Sequence, residues 1–138
     1  TEGQQIKVTS TDMSRFLFTL EDAVDTVLGA LEHTEGGEVF IPQICSYDMN
    51  TIISAVEKMH GSPVEYELIG LRPGEKLHEE MVSVEESMKV RDEDKYLVIT
   101  PDYINAKKLG FRGESFASDS QLMTKAQLKS YLKRVGVI

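Results

Sequence analysis

The chain has 138 residues, enough for a hydrophobic core of its own, with 41% apolar and 28% charged side chains, an ordinary globular balance. Its 15 basic residues against 23 acidic ones give a net charge of −8, which repels nucleic acid and leaves any anionic ligand to be met by a few placed cations. The single cysteine, Cys45, excludes an internal disulfide and a multi-cysteine zinc site, and no apolar run approaches the roughly 18–20 residues of a membrane helix.

The N-terminal stretch TEGQQIKVTS lacks the pattern of a signal peptide. It also begins without methionine, which points to a processed or excised chain. The lone cysteine fits a reducing cytoplasm, and the lack of a membrane-length apolar run predicts no membrane insertion.

The first predicted helix opens at Thr19-Leu20-Glu21-Asp22, a loose capping box, and continues through Leu20, Ala23, Val24, Val27, Leu28 and Leu31 at helical spacing. Gly36-Gly37 stops it. Glu38 to Ile41 is a short apolar strand ended by Pro42. A second helix runs from about Asp48 to His60, with Met49, Ile52, Ile53, Val56 and Met59 on one face and Gly61 as C-cap. Val64 to Ile69 reads as a strand, Val84 to Met88 as a helical turn, and Lys95 to Ile99 as a strand ended by Pro101. The stretch from Asp102 to Asp119 yields no element. The last helix begins at Thr124, where Gln127 completes a capping box, and buries Leu128, Tyr131, Leu132 and Val135. Alternating helices and few short strands predict an α/β or mixed α+β domain with a small sheet. Residues 1–138 are expected to form one domain.

Between the strand ending at Ile69 and the helical turn lies Gly70-Leu71-Arg72-Pro73-Gly74-Glu75-Lys76-Leu77-His78-Glu79-Glu80. Proline fixes φ and glycine permits positive φ, so the centre of this segment forms a stiff turn that holds its flanking side chains in one orientation. The Arg72 guanidinium suits two phosphate oxygens, and the Glu75 carboxylate suits the two hydroxyls of a ribose. The same residues also fit a surface turn with a solvated Arg72–Glu75 pair. Arg15, between a polar turn and Phe16-Leu17-Phe18, either points into a cleft or covers apolar surface with its stem. His78 beside Glu79 and Glu80 falls short of the three converging ligands a metal needs. His33 and His60 stand at helix C-termini, where the dipole favours them. Glu79-Glu80 and Asp92-Glu93-Asp94 read as solvated surface, and Met13, Met49, Met59 and Met81 as core filler. No GxGxxG, GxxxxGK[ST], HExxH or GxSxG occurs, so the chain offers no evident catalytic constellation.

Met13 to Val24, with Arg15 before "EDAV", resembles a segment of nucleotide-sugar enzymes in the extended short-chain dehydrogenase/reductase superfamily. The block RPGEKLHEE is similar to a signature of its polysaccharide-biosynthesis branch, which holds UDP-N-acetylglucosamine 4,6-dehydratases and UDP-sugar 4-epimerases. Ser83 to Ser87, Tyr96 to Ile99, and Phe116 to Thr124 resemble that branch as well, so the likeness runs from Asp12 nearly to the end.

The resemblance implies the small C-terminal portion of such an enzyme, with Arg15 and Arg72 on the UDP pyrophosphate and Glu75 on the ribose. NAD or NADP would belong to an N-terminal Rossmann portion absent from this chain, which by itself would bind no cofactor and turn over no substrate. The implied partners are a UDP-sugar, that Rossmann portion and further copies in a homo-oligomer, in the synthesis of bacterial surface polysaccharide such as capsule. A second reading, from a different class, is a non-catalytic module that pairs with itself or another chain through exposed apolar faces.

Overall fold

A computed structural model describes residues 5–93, 95–101, 113–120 and 122–136. The strands and helices, in chain order, are β1 (Ile6–Val8), β2 (Ser14–Phe16), α1 (Leu20–His33), β3 (Val39–Pro42), β4 (Ser46–Asp48), α2 (Met49–His60), β5 (Tyr66–Leu68), β6 (Glu80–Val82), α3 (Val84–Ser87), β7 (Val90–Glu93), β8 (Tyr96–Ile99), β9 (Phe116–Ala117) and α4 (Lys125–Arg134). The mixed α/β architecture expected from the sequence is observed. The backbone groups into two compact units, each assembled from separated segments.

The first unit comprises residues 1–16, 45–79 and 118–138. Here β1 pairs in parallel with β5, Ile6 opposite Tyr66, and β2 pairs antiparallel with β4, Arg15 opposite Tyr47. Helix α2 starts at the Asp48 carboxylate, which accepts the Thr51 N–H at 2.7 Å, and ends at Gly61 in the left-handed conformation (φ 74°). Helix α4 packs on α2 through a buried Leu128, and its capping box joins Thr124 to Gln127 as the sequence predicts. Tyr131, Leu132 and Val135 are only half-buried. Val8, Met13, Tyr47 and Leu128 form the apolar core of this unit. Met13 thus fills the core as expected, whereas Met59 is half-exposed on α2.

The second unit holds residues 17–44 and 80–117. Its three-stranded antiparallel sheet has the order β3-β8-β7, and β6 pairs with β9. Pro42 closes β3 at the sheet edge, where its missing N–H costs no ladder bond. Ile41, Val82, Val90, Leu97, Val98 and Phe116 are buried. The expectation of a helical turn at Val84 is met by α3, capped reciprocally by Ser83 and Glu86. The Ser83 backbone N–H and hydroxyl hold the Glu86 carboxyl below its ordinary range. Among the described residues, no helix is long and apolar enough to cross a membrane.

Helix α1 has the capping box read from Thr19 and Asp22, and the His33 ring at its end meets the Gly29 carbonyl at 2.8 Å. It buries none of its residues: Leu20 is 77% and Leu31 70% exposed, and Val24, Val27 and Leu28 are exposed as well. Its contact with the sheet comes at Gly29, where the Tyr96 ring of β8 occupies the space a Cβ would need. The Tyr96 hydroxyl donates to the Asp25 carbonyl at 3.4 Å, and the ring meets Phe40 edge-on at 5.8 Å. In an open helix Gly29→Ala stabilises by about 1 kcal/mol. Here the methyl group displaces a rigid ring, so the substitution is expected to lower Tm in a thermal melt; a rise would show that Tyr96 moves aside freely.

Candidate functional site

The segment 72–79 returns along the edge of β2, and its geometry begins with one turn. The Glu75 N–H donates to the Arg72 carbonyl at 3.0 Å, with Pro73 and then Gly74 (φ 83°) between them. This is a type II turn, whose third position excludes side chains that resist positive φ. The Glu75 carboxylate closes it from the other side by accepting the Arg72 N–H at 3.2 Å and the Thr9 hydroxyl at 3.3 Å. Glu75 therefore grips the Arg72 backbone rather than its guanidinium. That guanidinium is exposed, and among the described residues it has no hydrogen bond or ion pair.

Arg15 reaches the same segment from β2. Its Nη1 donates to the carbonyls of Ser14 at 2.7 Å and Leu77 at 3.1 Å, and its Nη2 donates to Lys76 O at 3.1 Å. The Glu75 and Glu79 carboxylates flank it, each at 3.7 Å. Glu79 is therefore part of the site rather than plain solvated surface. The guanidinium is largely covered, with 22% of the side chain exposed. The structure thus brings Arg15 and Glu75 together at the base of the turn that Arg72 opens.

A buried polar network lies behind Arg15. The Ser14 Oγ is 2.7 Å from His78 Nδ1 and 2.6 Å from Ser118 Oγ, which also accepts the Glu79 N–H at 2.9 Å. Backbone bonds reinforce it, Ser14 N to Leu77 O at 3.0 Å and Ser118 N to Glu79 O at 2.8 Å. Asp119 faces His78 Nε2 at 4.0 Å. The sequence offers no spacing that joins Ser14, His78 and Ser118, so their convergence is visible only once folded. Ser14 is 1% exposed and Ser118 0%, so this Ser-His-Asp set is a structural clasp and presents no nucleophile to a substrate. Among the described residues no cluster fits a metal ion. Across the β2–β4 pair from Arg15, burial pushes the ionisation of the Tyr47 phenol far up, with the Cys45 thiol beside it adding to the effect.

Each hydrogen bond from a guanidinium to a carbonyl contributes about 1.5–3 kcal/mol at most, and the fork geometry permits three here. Lysine keeps the charge but presents a single ammonium. Arg15→Lys is expected to destabilise the fold by about 1–3 kcal/mol in urea unfolding; unchanged stability would mean that the carbonyl contacts add nothing net.

Comparison with known proteins gives consistent results. The family model described as "Polysaccharide biosynthesis protein" matches residues 1–101. A UDP-N-acetylglucosamine 4,6-dehydratase (inverting) of Campylobacter jejuni is 37% identical over 99 residues, 72% of this chain and 28% of that protein. A UDP-glucose 4-epimerase of Rickettsia rickettsii is 36% identical over 101 residues, 73% of this chain and 30% of the relative. The chain therefore spans less than a third of the curated relatives it matches. Among solved structures, Pen from Bacillus thuringiensis superposes with a TM-score of 0.83 at 29% identity, over 99% of this chain and 42% of that one. With most of its length matched by the family model, the chain belongs to the polysaccharide biosynthesis protein family.

Proposed function

We propose that this chain is the substrate-binding part of a nicotinamide-dependent 4-epimerase or 4,6-dehydratase acting on a UDP-hexose, UDP-N-acetylglucosamine first among them, and that the Arg72–Glu75 turn with Arg15 receives the nucleoside diphosphate. The observation that carries it is the pairing of a stiff type II turn with a guanidinium left without a partner among the described residues, beside a second, covered one. Two cations at one turn answer how a chain of net charge −8 captures an anion. Glu75, fixed by Thr9 and the Arg72 N–H, is the group offered to the ribose hydroxyls. The names of the relatives support a UDP-sugar as the ligand class.

Among the described residues, the starts of the three longer helices do not suit the pyrophosphate of a nicotinamide dinucleotide. A dinucleotide pyrophosphate needs free N–H groups at a helix N-terminus behind a glycine-rich turn. Here Thr19, Asp48 and Thr124 cap α1, α2 and α4 with their own side chains, and α1 adds Glu21 and Asp22. The cofactor would be held by a Rossmann portion outside this chain. The exposed apolar stripe of α1 and the edge strand β3 offer that portion a surface to cover, at about 1 kcal/mol for each half-exposed side chain buried.

The same stripe favours a second reading, in which the chain assembles with itself through α1 and takes no nucleotide. Calorimetry with UDP separates the two. Arg72→Ala is expected to weaken UDP binding by about 1.5–3 kcal/mol while leaving the melting temperature close to that of the parent chain. Unchanged UDP affinity would remove the phosphate role of Arg72, and association in sedimentation without any nucleotide response would favour self-assembly.

A further inference from the structure

The hydroxyl chain behind Arg15 has a direction. The Glu79 backbone N–H can only donate, so Ser118 Oγ accepts from it. Each serine carries one hydrogen. If Ser118 donates to Ser14 and Ser14 donates to His78 Nδ1, every bond in the chain holds one hydrogen and none is left over. The reverse order would leave the Ser118 hydrogen without an acceptor among the described residues, and Ser118 is fully buried, so water does not take it. His78 must then accept at Nδ1 and carry its hydrogen on Nε2, towards Asp119.

We propose that His78 is a positioning residue: its Nδ1, as hydrogen-bond acceptor, fixes the Ser14 hydroxyl and with it the strand that carries Arg15. This rests on the reading of Arg15 as part of an anion site. Ser14 and Arg15 are adjacent on β2, and both bond the carbonyl of Leu77, the residue before His78. The position of the imidazole is therefore transmitted to the guanidinium over one peptide unit. A proton on the ring turns Nδ1 into a donor and breaks the chain's order, so a charged His78 loosens Arg15 and weakens anion binding. The charged groups around the ring are Asp119 at Nε2, and Arg15, Glu75, Lys76 and Glu79 on the adjoining segments.

Asparagine separates position from charge, because its side-chain oxygen can stand where Nδ1 stands but does not titrate. The test uses the 138-residue chain, with histidine and arginine side-chain nitrogen NMR and UDP calorimetry at about pH 7.5 and about pH 5.5. In the parent chain His78 is expected as the Nε2–H tautomer, the Arg15 Nε signal moves on acidification, and UDP binds about fivefold or more weaker at the lower pH. In His78→Asn the affinity at the higher pH stays within about twofold, the Arg15 signal no longer moves on acidification, and the remaining loss of UDP affinity is that caused by protonation of the terminal phosphate of UDP itself. His78→Leu, which has no acceptor, binds more weakly at both. An Nδ1–H tautomer, or a pH response of Arg15 that survives in His78→Asn, would overturn the proposal. Failure of UDP to bind at either pH would instead remove the nucleotide reading, and the ligand-free tautomer and Arg15 signals still decide the role of His78.

Discussion

One guanidinium holds the candidate site together. Arg15 leaves β2 and bonds the carbonyls of Lys76 and Leu77, while Glu75 and Glu79 flank it. A segment rich in charge and interrupted by Pro73-Gly74 has no ladder of its own to join, so its backbone carbonyls need donors from elsewhere. Arginine supplies several in one plane, which a lysine cannot do. The type II turn then projects Arg72 from a base that Arg15, Thr9 and the buried serines keep in place.

The arrangement also bears on how an acidic protein would take an anion. The carboxylates nearest Arg15 accept hydrogen bonds from Thr9 and the Arg72 N–H, or lie on the outer side of the guanidinium. Arg72 is different, since its head is exposed and has no partner among the described residues. In the account proposed, one arginine builds the turn and the other meets the ligand first. A net charge of −8 then discourages non-specific polyanions without silencing a site made of two placed cations.

Local signals were legible in the sequence and long-range ones were not. Thr19 and Thr124 each cap a helix as their spacing with Asp22 and Gln127 indicates, and Gly61 closes α2. These are contacts within four residues. The turn at Pro73-Gly74 was legible for the same reason, because its φ values are set by the residues themselves. Strands β1, β2, β4, β6, β7 and β9 were missed: they run for two to four residues, too short for alternation to show, and all but β7, which pairs with its neighbour β8, form only where distant partners such as Tyr66 and Ala117 meet them. The spacing of α1 gave its helix but not the fate of its apolar face, since periodicity identifies a stripe and not what covers it. Ser14 and Ser118 are 104 positions apart, and nothing local marks either as a network member. Part of the stretch from Asp102 to Asp119 for which no element was expected lies outside the described residues; the remainder contains β9.

The central claim is that Arg15 and Arg72 serve one ligand at one turn. Titrating UDP into the chain while following arginine side-chain nitrogen signals tests it most directly. The account predicts that both guanidinium signals move along a single binding curve, with those of the other arginines unchanged. Saturable binding that leaves Arg15 and Arg72 where they were, and shifts residues of another region instead, would contradict it.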